Sequence, residues 1–485
     1  MQPFNNQILK IVIMETTNNI REKTLLLIAL FLSITIFAQT KLPSFFSNDM
    51  VLQRNENVAI WGHDKSGVQI TVSGTWGETE TVKTNNEGNW KLRLKTPDAG
   101  GPYMLEIQGS DKITLNNVLI GEVWLCSGQS NMWMPLKGYT NSGINGSNET
   151  ILHSKNDQIR FFTTKRQASL EPLQDVTGKW WVAEPATVVD FSALAYYFGF
   201  KLNDILDVPI GLINNSWGGS KVEAWIDQES LKKFDGMKIV NELPKKGKNK
   251  SPSLLYNGML HPFVPFTIKG ILWYQGESNV SKAGDYQKLF SKMISSWREK
   301  WKQKELPFYF VQIAPFGYKG SNSAYLREAQ MLTMQNIDNT GMVVTMDIGE
   351  CEDVHPAEKE LIGNRLAYWA LANKYDIGGI AFSGPVYKSM KIDSEGKIIL
   401  SFTYNANGLT SLGKPLSGFI IAGKDKIFHE AKAKINGDST ISVASDSVKK
   451  PVAVRYAFDN CTKGTLYNTE GLPASSFRTD DWIKK

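Results

Sequence analysis

Residues 118–132 read VLIGEVWLCSGQSNM. The stretch from Val118 to Cys126 is mostly apolar and of strand length, as expected for a strand of a parallel sheet covered on both faces. It runs straight into Ser127 and Gly128, so Ser130 follows a glycine-containing bend at the strand's C-terminal end. Open α/β sheets gather their ligands at that edge, and a serine on such a bend can present its Oγ to a substrate. Ser127 competes for the role, three residues earlier, but Ser130 has Gln129 and Asn131 beside it to organise an oxyanion site. The string is not the G-x-S-x-G elbow of α/β-hydrolases.

Working outward, four more apolar runs of strand length alternate with helical patterns: VPIGLINNS (208–216), IKGILWYQG (268–276), PFYFVQIA (307–314) and GMVVTMDIG (341–349). The clearest helix repeats Tyr286, Leu289, Phe290, Met293, Ile294, Trp297 and Trp301 at helical spacing, an aromatic stripe read as core packing. The expected architecture is therefore α/β, with a three-layer α/β/α domain over residues 118–376. On either side the period changes to two. Residues 39–117 and 377–485 carry short alternating segments such as WKLRLKT and VAVRYAF between turn residues, and read as β-sandwich-like modules able to pack on each other.

A serine hydroxyl is a poor nucleophile at neutral pH and needs a base beside it. Of five histidines, His63 and His429 fall in the β modules, His153 in a polar segment, and His261 in HPFVP before a strand. His355 lies in GECEDVHP, after the last sheet strand and before the helix AEKELIGNRLAYWALA, which brings it to the same sheet edge as Ser130. An imidazole acting as base gains from a carboxylate that fixes its tautomer. Glu352 stands three residues before it and Asp353 two before; Asp353 is preferred and Glu352 stays open. For the oxyanion, NNSWGGS offers the backbone N–H of Gly218 or Gly219, and WYQGESN offers the side chains of Gln275 and Asn279.

Composition narrows the class. The chain has 485 residues, 42% hydrophobic and 21% charged, which excludes disordered and fibrous classes and allows two or three domains. A net charge of +6 is too mild and dispersed to point to nucleic acid, and the run Lys245, Lys246, Lys248, Lys250 between prolines reads as a solvated loop. Arg21 and Lys23 precede LLLIALFLSITIF (25–37), with Ala38 as a small residue at the cut, so residues 1–38 read as a signal peptide and the protein as exported, periplasmic or secreted, with no membrane segment after cleavage. Cys126, Cys351 and Cys461 match no zinc spacing and no disulfide framework; a Cys126–Cys351 bridge and buried free thiols are the two readings kept. No metal or other cofactor is expected, and the oligomeric state is left open.

Taken together, GQSNM, NSWGGSKVEAW, WYQGESN and DVHP resemble the sialate O-acetylesterase group within the SGNH hydrolases. The resemblance spans most of the chain after residue 38, including LPSFFSNDMVLQRN near its start and GLPASSFRTD near its end. It implies that Ser130 is the nucleophile and His355 the base, and that Gly218 or Gly219 forms the oxyanion hole with a polar residue of WYQGESN, Gln275 being assigned there. The superfamily prefers Asp three residues before the histidine; this chain has Glu352, so both carboxylates remain candidates. The implied reaction is metal-free, two-step acyl transfer from an acetylated carbohydrate, first of all O-acetylated sialic acid. Acetylated xylan or another glycan is the rival substrate. A non-catalytic carbohydrate-binding protein is the rival class, and the intact Ser130 and His355 argue against it.

Overall fold

The computed structural model describes residues 39–405 and 407–482, and the leader expected over residues 1–38 lies outside them. Six strands come first: β1 (Val51–Gln53), β2 (Asn57–His63), β3 (Gln69–Gly74), β4 (Thr79–Lys83), β5 (Asn89–Lys95) and β6 (Gly100–Gln108). Then come β7 (Lys112–Gly128), β8 (Asn156–Thr163), β9 (Trp180–Ala183), β10 (Ile210–Ser216), β11 (Gly270–Tyr274), β12 (Phe308–Val311) and β13 (Thr340–Val343). The central sheet has the order β13-β12-β11-β7-β10-β8-β9. Its neighbours are parallel except β9, which runs antiparallel to β8 at the edge.

β7 belongs to two parts of the molecule at once. Its first half pairs antiparallel with β6, and Leu119–Gly121 pair in parallel with β1. Its second half lies between β10 and β11. The boundary expected between residues 117 and 118 therefore falls inside one continuous strand. Asn116 and Asn117 lie within the strand: Asn117 takes φ +56°, its side chain donates to Asp49, and the Asn116 N–H donates to Asn48. From Val118 to Gly128 every residue is buried, whereas Lys112–Asn117 are mostly exposed or half-buried. The apolar run marks where burial of the strand becomes two-sided.

Five helices matter for the site: α1 (Ser130–Trp133), α2 (Ala193–Leu206), α3 (Ala283–Trp301), α4 (Ala324–Asn336) and α5 (Lys359–Lys374). Alternate side chains of the buried strands serve opposite layers. Trp124, Cys126, Leu272 and Tyr274 join the cluster of α2 and α5, while Val123, Leu125, Ile271 and Trp273 join that of α3 and α4. The aromatic stripe of α3 is core, as expected, and its indole N–H groups are satisfied: Trp297 donates to Trp225 O and Trp301 to Phe266 O. The final expected strand is shorter than its apolar run. Past Val343 the chain leaves the sheet, held by Arg365 through Val344 O and a two-pronged pair with Asp347.

Beyond α5, two antiparallel sheets form a sandwich-like module: Val386–Ile392, Ile398–Thr403, Ile441–Ala444 and Lys432–Ile435 in one, Phe428–Glu430, Phe419–Ala422, Ala453–Tyr456 and Phe477–Arg478 in the other. This module docks on the α/β layers, and among the described residues no hydrogen bond or ion pair joins it to β1–β6. Its main tether is Arg327 of α4, fully buried, which donates to Ser476 Oγ, Ala457 O and Asp459 O. A disulfide adds a second: Cys351 is bonded to Cys461. The Cys126–Cys351 bridge considered from sequence is thus excluded, because Cys126 points into the α2–α5 layer and is buried there as a free thiol. Burial pushes its ionisation far above the ordinary thiol range.

Candidate active site

The bend that follows β7 is fixed by backbone. Gly128 has φ +136°, and a Cβ there would meet Tyr274 O at 2.1 Å, so only glycine lets β7 and β11 close at this point. Gln129 N donates to Tyr274 O at 2.9 Å and its side-chain oxygen accepts from Gly276 N and Ser278 N. Ser130 then opens α1, whose Met132 is buried and whose carbonyl at Met132 accepts from Ser192 Oγ. The competitor Ser127 is fully buried and donates to Asn215 O, which removes it from solvent.

His355 Nε2 lies 3.0 Å from Ser130 Oγ. On the other side of the ring, Nδ1 is 3.5 Å from Asp353 Oδ1, and the same carboxylate oxygen accepts the His355 backbone N–H at 2.8 Å. Glu352 is exposed and makes no hydrogen bond or ion pair with the imidazole. Between the two carboxylates left open by sequence, the structure brings only Asp353 to the ring. Tyr139 packs its ring edge-on to the imidazole, 5.1 Å between centroids, and donates its hydroxyl to Ser130 O. Burial first, and then the nearby Lys359 cation, hold the His355 pKa below its ordinary value, while Asp353 pulls the other way. The ring is therefore biased towards the neutral form, which a proton acceptor requires.

The four oxyanion candidates separate. Gly218 lies against the serine: a Cβ built on it would stand 3.4 Å from Ser130 Cβ. Among the described residues neither the Ser130 nor the Gly218 N–H has a hydrogen-bond acceptor. Gly219, at φ +70°, forms the turn instead and faces Asn249. Gln275, assigned as a donor on the resemblance, is corrected by its surroundings. It is fully buried, its Nε2 donates to Ser220 O (3.0 Å) and Asn279 Oδ1 (2.8 Å), and its Oε1 accepts from Tyr286. Both amide hydrogens are committed, so Gln275 ties loops together and has none left for an oxyanion. Asn279 is likewise buried, donating to Glu223 and accepting from Gln275 and Val222 N.

Sequence reading missed three neighbours. Half-buried Glu277 and fully buried Lys359 lie near the pair, linked through Asn131. Lys359 carried a legible signal: with Ile362, Gly363 and Leu366 it shares the buried face of α5, where a lysine is out of place. Arg166, just past the C-terminal end of β8, sets its guanidinium 4.0 Å over the Trp133 ring. Among the described residues no carboxylate forms an ion pair with Arg166. A cleft of about 680 Å³ reaches the site through Trp133 and Tyr139 and is lined further by Thr163, Trp181 and Phe191. Among the described residues, no group of three or more His, Cys, Asp or Glu is disposed to hold a metal ion, and no helix is long and apolar enough to cross a membrane.

Comparison with known proteins identifies the family. Residues 120–372 match the family described as carbohydrate esterase, sialic acid-specific acetylesterase. The sialate O-acetylesterase of Homo sapiens is 31% identical over 412 residues, covering 75% of this chain and 76% of its own. That of Mus musculus is 27% identical over 514 residues, 90% of this chain and 94% of its own. A carbohydrate acetylesterase from Xanthomonas citri, known by crystal structure, superposes with a TM-score of 0.84 at 38% identity, covering 92% of this chain and 100% of its own. The chain belongs to the sialic acid-specific acetylesterase family of carbohydrate esterases and is a carbohydrate O-acetylesterase.

Proposed function

We propose that the protein removes the acetyl group of an O-acetylated sialic acid through an acetyl-enzyme on Ser130. The observation that carries the mechanism is the 3.0 Å approach of His355 Nε2 to Ser130 Oγ, with Asp353 behind Nδ1. Ser130 Oγ attacks the acetyl carbonyl while His355 takes its proton. The carbonyl oxygen becomes an oxyanion that accepts from the backbone N–H groups of Ser130 and Gly218. Collapse breaks the ester C–O bond, and His355 returns the proton to the departing sugar oxygen. A water then attacks the acetyl-enzyme, again losing a proton to His355, which passes it to Ser130 Oγ as acetate leaves. Asp353 keeps the proton of the neutral ring on Nδ1 and stabilises the imidazolium.

Sialic acid is favoured over a neutral sugar by Arg166. An arginine set over Trp133, a residue that lines the cleft, and without an acidic partner suits a sugar carboxylate. The curated relatives are named for sialate esters, which supports the same reading. We place the enzyme outside the cytoplasm on the strength of the apolar segment 25–37.

The test is acetate release from O-acetylated sialic acid, from its carboxyl methyl ester and from acetylated xylan, by the wild type, Ser130→Ala and Arg166→Gln. The reading expects Ser130-dependent release from the sialic acid, loss of roughly tenfold in kcat/KM for either the methyl ester or Arg166→Gln, and no further loss when both are combined. Preference for xylan, with no effect of Arg166, would keep the chemistry and overturn the substrate.

A further inference from the structure

The serine–histidine pair rests on a buried ionic network that the reaction just described does not use. Lys359, in the first turn of α5, is fully buried, and its Nζ donates to Asn131 Oδ1 at 2.6 Å. Asn131 in turn donates its two amide hydrogens to Glu277 Oε1 (2.6 Å) and to Val354 O (2.9 Å). One side chain, next to Ser130 in sequence, thereby connects the nucleophile's helix, the turn after β11 and the carbonyl of the residue preceding His355. Glu277 Oε2 is buried without a hydrogen-bond partner among the described residues, and no direct ion pair joins Glu277 to Lys359. Apolar side chains would fill the same space at less cost than two desolvated charges, so packing alone does not account for the network.

We propose that Asn131, Glu277 and Lys359 are positioning residues that lock the base loop to the nucleophile's helix and hold a cation behind the His355 imidazole. The proposal rests on His355 acting as the base. His355 is faced by Asp353 from its own loop, Ser130 from α1, Tyr139 from the segment after α1, and Lys359 from α5. Of these, Asp353 favours the imidazolium; burial and Lys359 oppose it and prevail. Lys359 is itself faced by Glu277 and Asp353, and by the Tyr274 ring of β11 at 5.7 Å. Burial lowers its pKa to about 7, so it gains positive charge over the same mildly acidic range in which a histidine would otherwise protonate. Each proton that Lys359 binds makes the next one on His355 harder to add. The neutral base thus persists to lower pH, and the backbone bond to Val354 keeps it within reach of Ser130.

The experiment measures kcat/KM against pH with 4-nitrophenyl acetate, and thermal unfolding, for the full chain and its variants. Lys359→Met is expected to lose about tenfold in kcat and to shift the acid limb upward by about half a pH unit or more, since the His355 pKa returns towards its ordinary value. Lys359→Arg keeps the cation, so its acid limb stays in place while kcat recovers in part. Glu277→Gln makes Lys359 easier to neutralise and shifts the limb in the same direction by less; it decides the matter if Lys359→Met does not fold. Folded variants with reduced kcat but an unmoved acid limb would overturn the network as a tuning device. His355→Ala is run alongside: if that variant keeps the wild-type rate, the base assignment itself fails, which is a separate result.

Discussion

The two halves of the reactive pair are held by different means. Ser130 follows the fully buried second half of β7, and its bend is set by main-chain contacts between β7 and β11: the close pass at Gly128 and the Gln129–Tyr274 bond. His355 sits in a loop that has left the sheet and is fixed from outside by side chains: Asn131 on Val354 O, Asp353 on the His355 N–H, and the Cys351–Cys461 disulfide to the C-terminal module. The contrast teaches that the nucleophile's position follows from the sheet, whereas the base's position depends on contacts assembled across the whole chain. Substitutions on the serine side should change chemistry with little effect on geometry. On the histidine side the two should change together.

The sharpest break in that comparison is Ser130→Ala. It removes one hydroxyl and no core volume, so acetate release should fall by about 10⁴-fold or more with unfolding unchanged. A variant that retains wild-type acetate release ends the assignment of Ser130. Next comes Asp353→Asn, expected to lower kcat on the order of 100-fold because the amide disturbs both the ring tautomer and the His355 N–H contact. Loss equal to that of Ser130→Ala would mean that the two sides are held alike. Removing both Cys351 and Cys461 should cost about 2–5 kcal/mol of stability, read by denaturant unfolding, and about tenfold in kcat, since a loop misplaced by a fraction of an ångström loses its near-attack geometry. Unchanged kcat in the folded double variant would show that the disulfide holds the C-terminal module alone. The smallest effect is expected for Glu352→Gln, within about twofold in kcat, because that side chain faces solvent. A loss larger than that of Asp353→Asn would return the acid to the position three residues before the histidine.

What could be read from the residues follows the same division. The apolar run 118–126 and the bend at Gly128 announce a buried strand and a serine at its end, because hydrophobic periodicity and glycine's conformational range are local properties. His355 was legible by its place between the last strand and a helix. Glu352 and Asp353 were not separable, since one residue of loop conformation decides which carboxylate meets the ring. Gln275 looked like a donor from its motif, but its hydrogens are taken by Ser220 and Asn279, partners that no spacing reveals. The cysteine pairing was hidden for the same reason: 110 residues separate Cys351 from Cys461, and only docking of the C-terminal module brings them together.

The amino-acid sequence by itself therefore determined the α/β class, the strand-end serine, the histidine that faces it and the family. Local patterns of apolarity, glycine and motif residues are enough for those. The tertiary structure alone decided that β7 runs unbroken through the expected boundary, that Asp353 rather than Glu352 reaches the imidazole, that Gln275 is committed elsewhere, and that Glu277 and the buried Lys359 meet through Asn131 beside the pair. Each of these depends on which distant groups share a small volume out of water, where an unpartnered donor or charge is costly.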